Sequence, residues 1–222
     1  MLKKIEIACF NLESAIIAEK SGADRIELCE NYKEGGLSPD ENLMKEVLRK
    51  TDIPVFVMIR PRTGNFFYTE KEIEIMKQQI LNCKKHNCDG VVFGVLNPDN
   101  TINVEACKTL VQLAQPLPCT FHRAFDETKN KELTLEQIIS CGFKRILTSG
   151  GAATALEGKE NLKQFVELAN GRITIIPGGG IRSSNIKNIS EATGALEFHS
   201  AAILENDTAN ANEIHLICQQ LN

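Results

Sequence analysis

Short apolar runs rich in β-branched residues recur along the whole chain. Each is followed by a polar stretch that carries a helical stripe. The runs fall near residues 4–9, 25–29, 54–60, 90–96, 118–124, 144–149, 172–177 and 195–201. Runs of this kind read as strands buried on both faces, as parallel sheets require. Between them, stripes such as Ile73, Met76 and Ile80, or Leu162, Phe165, Val166 and Ala169, predict amphipathic helices, the last over about 210–221. Helix ends are marked by Gly before the next strand, at Gly22, Gly90, Gly142, Gly171 and Gly194. Helix starts carry capping patterns. Ser38-Pro39-Asp40-Glu41 reads as a capping box with Pro at the first helical position, and Thr69 with Glu72, Thr134 with Gln137 and Thr154 with Glu157 repeat it. Eight strand–helix units in this length predict an α/β fold, a (β/α)8 TIM barrel forming one domain over residues 1–222.

Composition narrows the function. The 222 residues are 42% hydrophobic and 24% charged, with a formal charge of −4 and no basic stripe, so no nucleic-acid partner is expected. The longest clean apolar run, Ile53–Ile59, has a Pro inside and cannot span a membrane. Lys3 and Lys4 are followed by Glu6 and Glu13, which breaks an export signal and predicts a cytoplasmic protein. Eight scattered cysteines then read as reduced thiols.

In a barrel of this kind the C-terminal strand ends build the site. Glu6, Glu27, Arg60, His122, Asp126 and His199 fall on or just after strands and are the candidate catalytic residues. Alternation puts Glu6 with Ala8, Glu27 with Cys29, Arg60 with Arg62 and Glu197 with His199 on common faces. The acids are expected inside the barrel or at its mouth, paired with Arg60 or Arg123. Arg62, Arg123, Ser149 and the Gly178-Gly179-Gly180 turn are candidate binding groups for a small anion, since Gly-rich turns can present backbone N–H groups. Cys83, His86 and Cys88 cluster at a helix end, but their spacing matches no standard zinc pattern.

The strings GADRIELC (Gly22–Cys29), EGGLSP (Glu34–Pro39), VMIRPRTGNFFY (Val57–Tyr68), FHRAFD (Phe121–Asp126), ILTSG (Ile146–Gly150), PGGGI (Pro177–Ile181) and EFHSA (Glu197–Ala201) resemble, in this order, the CutC family of copper homeostasis proteins. The resemblance implies a cytoplasmic (β/α)8 barrel, a homo-oligomer, and Cu(I) held by cysteines, here Cys29 and Cys9. One departure stands out. The family usually has Glu-hydrophobic-Cys on the first strand, whereas this chain reads Glu6-Ile7-Ala8, with Cys9 one position later and on the opposite face. The partner is therefore a copper ion or, alternatively, a small anionic or phosphorylated metabolite undergoing isomerase- or lyase-type proton transfer at the mouth.

Overall fold

The computed structural model describes residues 2–221. Among them, eight parallel strands alternate with helices: β1 (Lys4–Cys9), α1 (Leu12–Lys20), β2 (Arg25–Leu28), α2 (Glu41–Lys50), β3 (Val55–Met58), α3 (Glu70–Lys85), β4 (Gly90–Phe93), α4 (Val104–Ala114), β5 (Cys119–Phe121), α5 (Ala124–Glu127), α6 (Lys131–Cys141), β6 (Arg145–Thr148), α7 (Lys159–Ala169), β7 (Thr174–Pro177), α8 (Ile186–Thr193), β8 (Glu197–Ser200) and α9 (Ala211–Leu221). The hydrogen-bonded order runs β7-β6-β5-β4-β3-β2-β1-β8. At the remaining seam Ser200, ending β8, donates its hydroxyl to Ile181 O beyond β7 at 2.8 Å. The predicted TIM barrel is thus the observed fold.

Strand alternation makes two separate cores. Ile5, Ile7, Ile26, Leu28, Val55 and Val57 face the helices and belong to the large outer cluster. Cys29, Phe56, Met58 and Val92 form a smaller inner cluster with Phe10. Glycines make room for large interior side chains. A Cβ at Gly90 would stand 2.2 Å from the Phe56 ring, one at Gly94 2.8 Å from His122, and one at Gly178 2.4 Å from Leu147.

Several expected local signals are corrected. The Thr69–Glu72 capping box is present on α3. On α2, however, Asp40 is the N-cap, so Pro39 lies before the helix rather than in its first turn. Thr134 sits inside α6, whose cap is Asn130. Thr154 receives the Glu157 N–H in a turn, while α7 begins after Gly158. Both false caps have the right spacing, which any short turn can satisfy. Gly90 is a strand residue packed on Phe56, and the left-handed position before it belongs to Asn87.

Candidate functional site

The charged residues of the interior lie in two layers, set by strand register. Glu6 pairs in register with Arg25 on one side and His199 on the other, and Ala8 pairs with Glu27. In the basal layer Arg25 Nε donates to Glu6 Oε2 at 2.5 Å and Arg25 Nη2 to Glu197 Oε2 at 2.5 Å. Arg25 and Arg145 also flank the Phe56 ring, 5.0 and 3.9 Å from its centroid. The expected partners Arg60 and Arg123 are therefore replaced by Arg25. Its place at the opening of β2 gives it no prominence in the sequence, although alternation with Glu27 marks it as inward. Arg145 likewise opens β6.

Electrostatics follow from this packing. Burial pushes the Glu6 carboxyl up, but the Arg25 guanidinium and the His199 hydrogen bond more than offset it and hold Glu6 at about 2. Burial raises Glu27 to about 7; His199 pulls it down while the charge of Glu6 adds to the rise. For His199, burial opposes the charged form, yet Glu27 and Glu6 raise its pKa. His199 Nδ1 lies 2.7 Å from Glu6 Oε1, and its Nε2 3.8 Å from Glu27 Oε2. Glu6, Glu27 and His199 thus form a carboxylate–imidazole–carboxylate cluster, with one donor atom from each within 4.8 Å of the others.

Above this layer opens a cavity of about 330 Å³ at the barrel mouth. Glu27, Cys29, Arg60, His122, Arg123, Gly179, Gly180 and His199 line it, bringing together eight of the residues expected at the site. Phe10, Tyr32, Met58, Phe66 and Arg182 complete much of its wall. Sequence reasoning gave Tyr32, Phe66 and Arg182 no role, because they come from loops with no periodic signal.

Not every lining residue is free to act. Arg60 donates to the carbonyls of Glu34, Gly36 and Gly64 and stacks on Phe66, so it ties two loops together. His122 packs on Phe66, 4.7 Å between centroids, and its Nδ1 accepts the Ala124 N–H. With Nδ1 accepting, the ring's single N–H proton sits on Nε2. Burial, with Arg60 nearby, lowers His122 to about 3, so the ring is neutral at pH 7. Its Nε2, like Glu27 Oε1, is buried without a partner among the described residues.

Six expected site residues lie off the cavity wall. Asp126 accepts from Thr148 Oγ1, Ser149 N, Ser149 Oγ, Gly151 N and Arg123 Nε, which makes it the clamp of the loop after β6 rather than an acid facing the mouth. Ser149 belongs to the same clamp. Arg62 turns outward to Glu72 and to the carbonyls of Thr63, Asn65 and Phe67. Gly178 packs against Leu147 and His199, and Glu6 is covered by Arg25 and His199. Cys9 lies in the outer cluster with its thiol 3.5 Å from Ile7 O.

Cys29 is the thiol that does line the cavity. Its Sγ donates to Glu27 Oε2 at 3.6 Å, and burial, with the charge of Glu27, raises its pKa well above the ordinary range. The Cys83–His86–Cys88 cluster loses its imidazole but keeps its two thiols together. Both thiols point at Met44 Sδ, at 4.0 and 3.5 Å, inside the core, while His86 turns to Glu41 at 3.0 Å.

Comparison with known proteins bears on this site. The family model described as the CutC family matches residues 3–204. A copper homeostasis protein cutC homolog of Homo sapiens is 46% identical over 204 residues, covering 92% of this chain and 75% of that protein. A family protein CutC of Vibrio cholerae is also 46% identical over 204 residues, covering 91% of this chain and 80% of its own length. The crystal structure of a copper homeostasis protein CutC of Streptococcus agalactiae superposes with a TM-score of 0.86 at 36% identity, covering 90% of this chain and 99% of that one. Phosphoribosylanthranilate isomerase of Thermotoga maritima reaches a TM-score of 0.67 at 14% identity, covering 99% and 98%, and shares the fold alone.

Proposed function

The chain belongs to the CutC family, and from that premise we propose that it serves copper homeostasis by holding Cu(I) at Cys29 in the barrel-mouth cavity. The resemblance carried by the strand-end strings is thereby borne out as to family. The observation that carries the proposed site is the position of Cys29: it is the one sequence-expected metal-binding thiol that lines the cavity, and Met58 shares both that wall and the same inner cluster. Thiol and thioether are the soft donors that Cu(I) selects. Metal binding must displace the thiol proton. Glu27 Oε2, 3.6 Å away and already accepting the thiol's hydrogen bond, is the natural acceptor. Cys9 adds nothing to this site, because it faces the helix layer.

The reading carries a cytoplasmic setting, where free thiols persist, and assembly as a homo-oligomer. No helix among the described residues is long and apolar enough to cross a membrane. The relatives' names lend nothing to the isomerase- or lyase-type alternative.

The test is an anaerobic Cu(I) titration against a chromophoric chelator. The wild type is expected to compete for Cu(I), and Cys29→Ser to lose that competition while keeping its far-UV spectrum. Equal competition by the two proteins overturns the assignment of Cys29.

A further inference from the structure

The turn after β7 has an arrangement of backbone groups that copper binding does not use. Gly179 and Gly180 take φ values of +98° and +74°. Their carbonyls are engaged away from the cavity. Gly179 O accepts the Ala155 N–H at 2.8 Å, and Gly180 O accepts Asn185 Nδ2 at 2.8 Å. Ile181 O accepts Ser200 Oγ and Arg182 Nη1. A trans peptide sets each N–H opposite the preceding carbonyl, so the Gly180 and Ile181 amides are directed away from Ala155 and Asn185, which do not line the cavity. Among the described residues, the N–H groups of Gly179, Gly180 and Ile181 meet no acceptor. Ile181 is wholly buried, and a buried amide ordinarily has an acceptor.

Positive charge stands beside these donors. A Cβ on Gly179 would lie 3.3 Å from Arg123 Cζ. Arg123 gives Nε to Asp126 and Nη2 to Ser149 Oγ, which leaves Nη1 unengaged among the described residues. Arg182 is pinned through both terminal nitrogens to the Ile181 and Ile203 carbonyls, which fixes its charge at the rim. Consecutive backbone amides flanked by guanidinium groups form a concavity suited to a tetrahedral oxyanion. Glu27 and His122 line the cavity elsewhere, and their Oε1 and Nε2 atoms, buried without a partner among the described residues, are an acceptor and a donor that one hydroxyl group can satisfy. Its volume of about 330 Å³ is at the small end for a metabolite pocket.

We infer that the mouth binds a small hydroxylated phosphate monoester, with the phosphoryl oxygens on the Gly179, Gly180 and Ile181 amides beside Arg123 and Arg182, and a hydroxyl toward Glu27 and His122. This site shares the cavity with Cys29 but does not depend on the copper reading.

The experiment is a ¹H–¹⁵N titration of the metal-free chain with glycerol 3-phosphate and, separately, with inorganic phosphate and glycerol. Saturable shifts centred on the three amides are expected, with glycerol 3-phosphate binding more tightly than inorganic phosphate. Arg123→Gln should weaken binding by about tenfold or more, the scale of a hydrogen bond to a charged group. Arg62→Ala, whose side chain turns outward to Glu72, should leave it unchanged, and because the chain is metal-free the result is separate from any outcome of the Cu(I) titration. Absence of shifts at Gly179, Gly180 and Ile181 overturns the site. Equal affinity for inorganic phosphate and glycerol 3-phosphate overturns the monoester assignment.

Discussion

The base and the mouth of the barrel interior are built from the same residue types, yet they differ in how completely those residues are paired. At the base, Arg25 joins Glu6 and Glu197 at 2.5 Å each, and Phe56 fills the space between Arg25 and Arg145. One nitrogen, Arg145 Nη2, escapes that pairing. At the mouth, an acceptor on Glu27, a donor on His122 and three successive backbone amides have no partner among the described residues. Charge inside a barrel is therefore no sign of chemistry by itself. A closed ion network holds strands in register, while an incomplete one marks where something else binds.

The sharpest way to break this contrast is at the base. Arg25→Met leaves the buried Glu6 and the half-buried Glu197 without their cation. Urea unfolding should show a loss of about 3–5 kcal/mol, the scale for stripping one partner from a buried pair. A loss below about 1 kcal/mol, typical of an exposed pair, would mean that the basal network holds nothing.

Packing at the base gives the next effect. Gly90→Ala places a methyl where the Phe56 ring stands, and overpacking of this kind costs about 1–3 kcal/mol in thermal or chemical unfolding.

The two glutamates then distinguish the layers by pH. Glu6 is held below its ordinary value of 4.5, at about 2, so its contribution to stability is present above pH 4.5 and is lost as pH falls toward 2. Glu27 is raised from 4.5 to about 7, so its contribution is present below pH 4.5 and is lost as pH rises through 7, where ionisation of the buried carboxyl works against the fold. Glu27→Gln should therefore gain on the wild type between pH 4.5 and 7, by roughly 3 kcal/mol at the top of that window. A stability difference between the two proteins that is flat across these pH values would remove the account of Glu27.

The smallest effect is expected outside both layers. Arg62→Ala removes a half-exposed pair with Glu72 and should change stability by no more than about 1 kcal/mol, leaving Cu(I) competition intact. A large loss of metal binding would show that Arg62 reaches the mouth after all.

Sequence reading recovered the barrel because its signals are periodic: inward and outward residues alternate, and each strand is short, apolar and flanked by turn residues. It placed Glu27, Cys29, His122 and His199 at the mouth for the same reason. It misjudged Asp126, five residues beyond the end of β5 and four beyond His122, where the chain turns through α5 and aims the carboxylate at the neighbouring loop. Spacing alone cannot show that turn. The open amides of Gly179 to Ile181 are visible in the sequence only as a glycine-rich string, because their meaning depends on which groups, Ala155 and Asn185, occupy the carbonyls.

The copper K-edge absorption spectrum of the Cu(I)-loaded chain, compared with that of Cys29→Ser loaded in the same way, tests the mouth as the metal site most directly. The account predicts sulfur scatterers around copper in the wild type that diminish in the variant. An unchanged sulfur shell in Cys29→Ser would place the metal elsewhere, with the buried thiols beside Met44 as the first alternative to probe.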